Sequence, residues 1–383
     1  MSADGKTVLF DESGNNVTSI STGDYNGDGH ADLAVSRIPS LATNHVDGVA
    51  ILLGNGDGSF GLSEDYPTGN GPIDSIASGD VTGDGIDDVV TSSAFGMSIL
   101  PSVGDGGFAS SIDYATIYTT FHSCPKSIAI ADLNGDGNND IVKGGSLGYL
   151  LIYKGSANSQ PAEAETHYTR GTYQGVNSAG STSCSISVAD VSNDGLLDII
   201  GASTSNNGNV YQVIGNGDGT FVGDGDQIPG SISYMTVDSN QVTVITGKFD
   251  DNDLIDIAAT SAEENKIYIS INSGTVSTID VGDTPRDIVA KDFDKNGTID
   301  IAVVNNGSDS VSLLSGNGDG TFNTPKSVSV GSKPMSLISG DFDNNGTPDI
   351  AVLNATGQSL FDISQGFPPP GSGSVSLLLN PEL

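Results

Sequence analysis

The sequence predicts an all-β protein: a seven-bladed β-propeller of four-stranded antiparallel blades, closed by an N-terminal strand that completes the seventh. Three observations predict it. A nine-residue acidic motif recurs seven times along the 383 residues, at a mean spacing of about 53. Short runs rich in Ile and Val flank every copy and read as strands. No stretch of helical period long enough to matter interrupts them.

The motif reads Asp-x-[Asp/Asn/Ser/Thr]-x-[Asp/Asn]-Gly-x-x-Asp. Copies start at Asp24, Asp80, Asp132, Asp190, Asp292 and Asp341, with a degenerate fifth at Lys248. A repeat of this period means a repeat architecture and makes independent domains unnecessary. Before each copy lies an apolar stretch such as Ser75-Ile76-Ala77-Ser78-Gly79, and after it another such as Ile301-Ala302-Val303-Val304. A third strand follows, as in Val49 to Leu53, and runs into a Gly-Asn-Gly-Asp-Gly-x-Phe turn at Gly54–Phe60, Gly215–Phe221 and Gly316–Phe322. Asn-Gly and Asp-Gly supply the positive φ angles of a tight hairpin, and the Phe is expected to open a fourth strand. These segments are read as turns and nothing more.

One such sheet cannot bury both its faces, whereas seven around an axis can. The absence of Trp argues against the WD40 and kelch types. The whole chain, 1–383, is expected to form one propeller with blades near 15–69, 70–121, 122–180, 181–231, 232–281, 282–330 and 331–383, the last completed by 1–14. Ring closure follows from the two ends. Ser374 to Leu379 repeats the third strand Ser310 to Leu314, so Lys6 to Phe10 is expected to add the missing fourth strand. Phe367 to Gly371 reads as a surface loop, because successive prolines cannot donate to a ladder.

Acids number 48 against 13 bases, a net charge of −35. Such a surface repels phosphate backbones and anionic membranes, which excludes nucleic-acid binding. No apolar run approaches the roughly 18–20 residues that span a bilayer. Two cysteines cannot staple a disulfide-dense scaffold, and no Cys/His spacing suits zinc. Charge alone would also fit disorder, but 18 of the 48 acids fall in phase within six loops. That phase points to a cation.

Oxygen donors at positions one, three, five and nine, with Gly at six for the sharp turn, wrap a chain around a hard ion; the backbone carbonyl of position seven adds a ligand. The expected ligand sets are Asp24, Asn26, Asp28, His30 and Asp32; Asp80, Thr82, Asp84, Ile86 and Asp88; Asp132, Asn134, Asp136, Asn138 and Asp140. The remaining sets are Asp190, Ser192, Asp194, Leu196 and Asp198; Asp292, Asp294, Asn296, Thr298 and Asp300; Asp341, Asp343, Asn345, Thr347 and Asp349. Oxygen-only ligation favours Ca²⁺ over zinc or copper, and magnesium prefers near-octahedral sites that keep several waters. About six Ca²⁺ ions are expected. In the copy at 248–256 the Lys248 ammonium stands where the first ligand would be, so that loop is expected to hold no ion. An EF-hand is not indicated, because flanking helices and a Glu at position twelve are missing.

Segments such as Gly23-Asp24-Tyr25-Asn26-Gly27-Asp28-Gly29-His30-Ala31-Asp32-Leu33-Ala34-Val35 resemble FG-GAP/VCBS repeats, the units of the integrin α-subunit propeller and of many bacterial surface proteins. The resemblance covers almost the whole chain. It implies that each loop joins the first two strands of a blade and holds Ca²⁺ on one face of the propeller. It also implies an extracellular setting and roles in adhesion, carbohydrate binding or support of enzymes.

Weak calcium sites fill only where calcium is abundant, which also places the protein outside the cell, secreted or on the surface. Met1 to Lys6 carries no signal-peptide pattern, so the leader is taken as removed or omitted. Cys124 and Cys184 precede copies three and four at nearly equivalent points; a disulfide and two buried thiols both remain open. Three functions compete. The first is a binding or adhesion module for a glycan or protein, with Tyr114, Tyr118, His122, His167, Tyr168, Arg170 and Tyr173 as candidate contacts or as outer-strand packing. The second is a purely structural propeller of a larger protein. A secreted polysaccharide-acting enzyme is the third, and it is not expected, because no nucleophile elbow or Ser-His-Asp order stands out.

Overall fold

The computed structural model describes residues 6–11, 16–38, 47–62, 64–115, 127–144, 149–157, 161, 165–168, 183–203, 209–222, 232–237, 239, 242–272, 274, 276–356, 372–381 and 383. Among them the chain forms seven four-stranded antiparallel sheets and no helix. Blade one pairs Ile20–Gly23, Asp32–Arg37, Gly48–Leu52 and Glu64–Pro67, in that order from its inner edge; blade two pairs Ile73–Gly79, Asp88–Ser93, Gly96–Leu100 and Ile112–Ala115. Blade three is Ile128–Ala131, Asp140–Gly144, Tyr149–Tyr153 and Glu165–Tyr168, and blade four Ser183–Ala189, Asp198–Ser203, Asn209–Val213 and Ile232–Thr236. Blade five is Val244–Gly247, Asp256–Ser261, Lys266–Ser270 and Val276–Asp280, and blade six Pro285–Lys291, Asp300–Asn305, Ser310–Leu314 and Lys326–Ser329. Pro334–Gly340, Asp349–Thr356 and Ser372–Leu378 make blade seven with Lys6–Asp11, which runs antiparallel to Ser372–Leu378. The ring is closed by the N-terminal strand.

Strand alternation builds the ring. Leu33 and Val35 point to blade seven, where they meet Leu353 and Val375, while Ala34 between them points to blade two and Ile76. Both faces of the second strands are therefore buried, and the sequence there is continuously apolar. Seven apolar clusters result, one at each junction between neighbouring blades, including the junction of blades seven and one. The core of this protein lies between its sheets.

Two expectations are corrected. The boundary near 231/232 would give Ile232–Thr236 to blade five, but that strand is the outer edge of blade four, pairing with Asn209–Val213. The hairpin Phe does not open the fourth strand. Phe60 makes an isolated bridge to Gly54, and the fourth strand begins at Glu64. Its ring is committed instead to the neighbouring blade, where it packs near Phe342. Phe367 to Gly371 lies outside the described residues.

Candidate functional site

Each acidic loop joins the first strand of a blade to the second, and six loops share one hydrogen-bond frame. The position-one carboxylate accepts the N–H groups of positions five and six. In the first loop these are Asp28 N–H and Gly29 N–H on Asp24, at 3.1 and 2.9 Å. The same pair recurs on Asp80, Asp132, Asp190, Asp292 and Asp341. Left-handed glycines at position six, such as Gly29 at φ 83° and Gly297 at φ 90°, make that turn possible.

Position nine is the buried member. Asp32, Asp88, Asp140, Asp198, Asp300 and Asp349 are all fully buried. One oxygen of each accepts the N–H of position two, and the other accepts an N–H just past the third strand. For Asp300 the donors are Phe293 and Gly316, both at 2.9 Å; for Asp349 they are Phe342 and Asn380. Asp256, in the degenerate fifth copy, makes the same two bonds, from Phe249 and Asn272. The position-nine acid is thus a backbone staple in every blade as well as a potential ligand, a role the sequence expectation did not include. Burial pushes the Asp32 and Asp88 carboxyls up to about 6 against the pull of their N–H donors. It also raises Asp140, Asp256, Asp300 and Asp349. A nearby cation is what would favour the charged form of such groups.

Positions three and five exchange acid and amide. In the first and third loops the pair is Asn26 with Asp28 and Asn134 with Asp136, the amide donating to the acid at 2.9 and 3.1 Å. In the sixth it is reversed, Asn296 donating to Asp294 at 3.0 Å. The oxygen at position five always takes the N–H of position seven, whether that oxygen belongs to Asp28, Asp84, Asp136, Asp194, Asn296 or Asn345. That bond holds the Asp28 and Asp136 carboxyls below their usual range. The exchange keeps three carboxylates per loop but changes where the third one points. In loops six and seven one oxygen from each of Asp292, Asp294 and Asp300, and from each of Asp341, Asp343 and Asp349, lies within 4.8 Å of the others. Among the described residues these two triads are the acidic clusters that could hold a metal. Thr82 Oγ1, at position three of the second loop, is buried without a partner.

Four of the side chains at position seven turn under the hairpin of their own blade, whereas the Asn138 amide donates to Asp136 at 2.8 Å. His30, Ile86, Leu196 and Thr298 lie where a Cβ on Gly56, Gly104, Gly217 and Gly318 would stand. In those four loops the oxygen that position seven can offer is therefore its backbone carbonyl. In the fifth copy Lys248 pairs with Asp253 at 3.3 Å, and amides take over the interior: Asn252 and Asn272 both donate to Asp250, at 2.6 and 3.1 Å.

Tyr114 donates its hydroxyl to the Pro161 carbonyl at 2.8 Å and packs edge-on against Tyr153, which gives it a packing role between blades two and three. His167 and Tyr168 lie on the outer strand of blade three, opposite Leu150 and Tyr149. Tyr118, His122, Arg170, Tyr173 and Cys124 fall outside the described residues; Cys184 lies on the inner strand of blade four.

Comparison with known proteins agrees with this architecture. The FG-GAP-like repeat profile matches residues 292–352, and the FG-GAP repeat profile matches residues 16–37. The chain carries FG-GAP repeats and folds as a β-propeller. No curated protein matches it. Among solved structures it is similar to BBS1N, crystallised in complex with ARL6DN, at TM-score 0.61 and 11% identity over 100% of this chain and 98% of that one. It is similar to virginiamycin B lyase from Staphylococcus aureus at TM-score 0.59 and 11% identity, covering 98% and 99%. An Agrocybe aegerita lectin that recognises non-reducing terminal N-acetylglucosamine gives 0.51 and 16%, covering 91% and 85%. At these identities the likeness concerns the fold. Such a fold supports a binding or structural module, and FG-GAP repeats are typical of extracellular and surface proteins. No described helix is long and apolar enough to cross a membrane.

Proposed function

We propose that this chain is a calcium-stabilised extracellular propeller that serves as a non-catalytic binding or adhesion module for a glycan or protein. The observation that carries the calcium part is the convergence of three carboxylates within 4.8 Å in loops six and seven. Hard oxygen donors so close repel one another unless a cation sits among them, and their number and type suit Ca²⁺. Loops one to four offer the same number of carboxylates on the same backbone frame. An extracellular setting supplies the millimolar calcium that such surface loops need. The binding part rests on the propeller itself, which presents loops on its faces, and on the glycan- and protein-binding proteins among its structural neighbours.

A glycan and protein array probed with the full chain, in calcium and again in chelator, tests this reading. Specific binding that disappears with chelator is expected. Silence from a calcium-loaded, folded chain would leave the structural-module alternative, and release of sugar products would overturn the non-catalytic part.

A further inference from the structure

The hairpins at 54–60, 215–221 and 316–322, read from sequence as simple turns, and the equivalent hairpin at 102–108, closed by a Ser102–Phe108 bridge, each have a second contact with the blade before their own. Gly58 N–H, in the blade-one hairpin, donates to the carbonyl of Phe342, which is position two of the seventh loop, at 2.9 Å. Gly320 N–H in blade six donates to position two of the fifth loop, Phe249, also at 2.9 Å. In blade two the Ser102 hydroxyl donates to position two of the first loop, Tyr25, at 2.7 Å.

The aromatic rings repeat the pattern. Phe60 packs on Phe342, Phe108 on Tyr25 and Phe322 on Phe249, with centroids 6.0, 5.5 and 5.7 Å apart. Phe221 of blade four shares an apolar cluster with Leu133, position two of the third loop. Gly106 and Gly320 occupy points where a Cβ would strike Leu53 and Ile271 of the preceding blade. Position eight acts in the same direction: Asp87 accepts the Asp24 N–H at 3.1 Å, and the Asn139 amide donates to the Asp80 carbonyl at 2.9 Å.

Position two stands between the first two ligand positions. Gripping its carbonyl and its side chain removes much of the freedom with which positions one and three could splay apart. We propose that each aromatic hairpin positions the cation loop of the preceding blade, so that a bound ion fastens two blades, in one direction round the ring. Linkage requires the reverse as well: an ion that favours the ordered loop favours the hairpin seated on it. The inference rests on the cation reading above. It also contains its own control, because the hairpin at 316–322 grips the fifth loop, where Lys248 replaces the first ligand.

Hydrogen exchange on the full chain, with calcium and with chelator, tests it. Chelation is expected to speed exchange in hairpins 54–60, 102–108 and 215–221 and to leave 316–322 unchanged. In Ser102→Ala, the calcium needed to protect residues 24–32 should rise about five-fold, the loss of roughly one hydrogen bond, with residues 80–88 unaffected. Equal deprotection of all four hairpins, or a Ser102→Ala effect at 80–88 instead of 24–32, overturns the proposal. If calcium protects the loops but no hairpin, only this inference fails; if it protects no loop, the cation reading fails with it.

Discussion

Asp256→Ala should destabilise the protein by about 3 kcal/mol, by the same amount in calcium and in chelator. The substitution leaves the N–H groups of Phe249 and Asn272 without their acceptor. The residue is 1% exposed, so water does not readily replace the lost carboxylate. An unpaired buried donor costs roughly 1–3 kcal/mol, and here there are two. The fifth loop lacks the ligand set, so calcium has no bearing on this loss. Asp136→Ala should behave in the opposite way. Its carboxylate is exposed and bonded to loop N–H groups that solvent can reach, so its removal should cost little in chelator and show itself only in calcium. Urea unfolding of both variants in both conditions separates staple from ligand. An Asp256→Ala penalty that vanishes in chelator would refute the staple.

Calcium should raise the melting temperature of the chelated protein by more than 10 °C. At about 10 mM free calcium, a site with Kd near 10⁻⁴–10⁻³ M adds roughly 1.4–2.7 kcal/mol to stability. The two converged triads alone then contribute roughly 3–5 kcal/mol, and six sites more than double that. One kcal/mol moves Tm by roughly 2–4 °C in larger domains. Scanning calorimetry on the full chain reads the shift, and an unchanged midpoint would remove the stabilising role of the metal.

Much of this architecture was legible because two periods are superimposed. The nine-residue acidic loop marks where each blade turns, and the Ile/Val runs around it mark the strands. Closure was legible too, since Ser374 to Leu379 repeats a third strand and Lys6 to Phe10 was left without a partner. The blade-four boundary was not, because Ser231-Ile232-Ser233 has the same Ser-Ile opening as the inner strands at Ser75-Ile76 and Ser185-Ile186. Strand character is local, whereas the choice of partner depends on which unit still lacks an edge.

The candidate site divides in the same way. Ligand spacing lies within nine residues and can be read directly. The second role of Asp32 or Asp300 cannot, because the Gly54 and Gly316 N–H groups they accept lie far along the chain. The hairpin Phe was visible as a repeated residue, but its partner belongs to another blade. The signal that could have found it is the bulky apolar residue at position two of every loop, out of place in a polar turn unless something covers it.

Calcium bound per chain, counted by equilibrium dialysis with elemental analysis, tests the central claim most directly. About six ions are expected at millimolar calcium, one fewer in Asp136→Ala or Asp294→Ala, and an unchanged number in Asp250→Ala. A chain that retains no calcium, or that loses an ion in Asp250→Ala, would contradict the account.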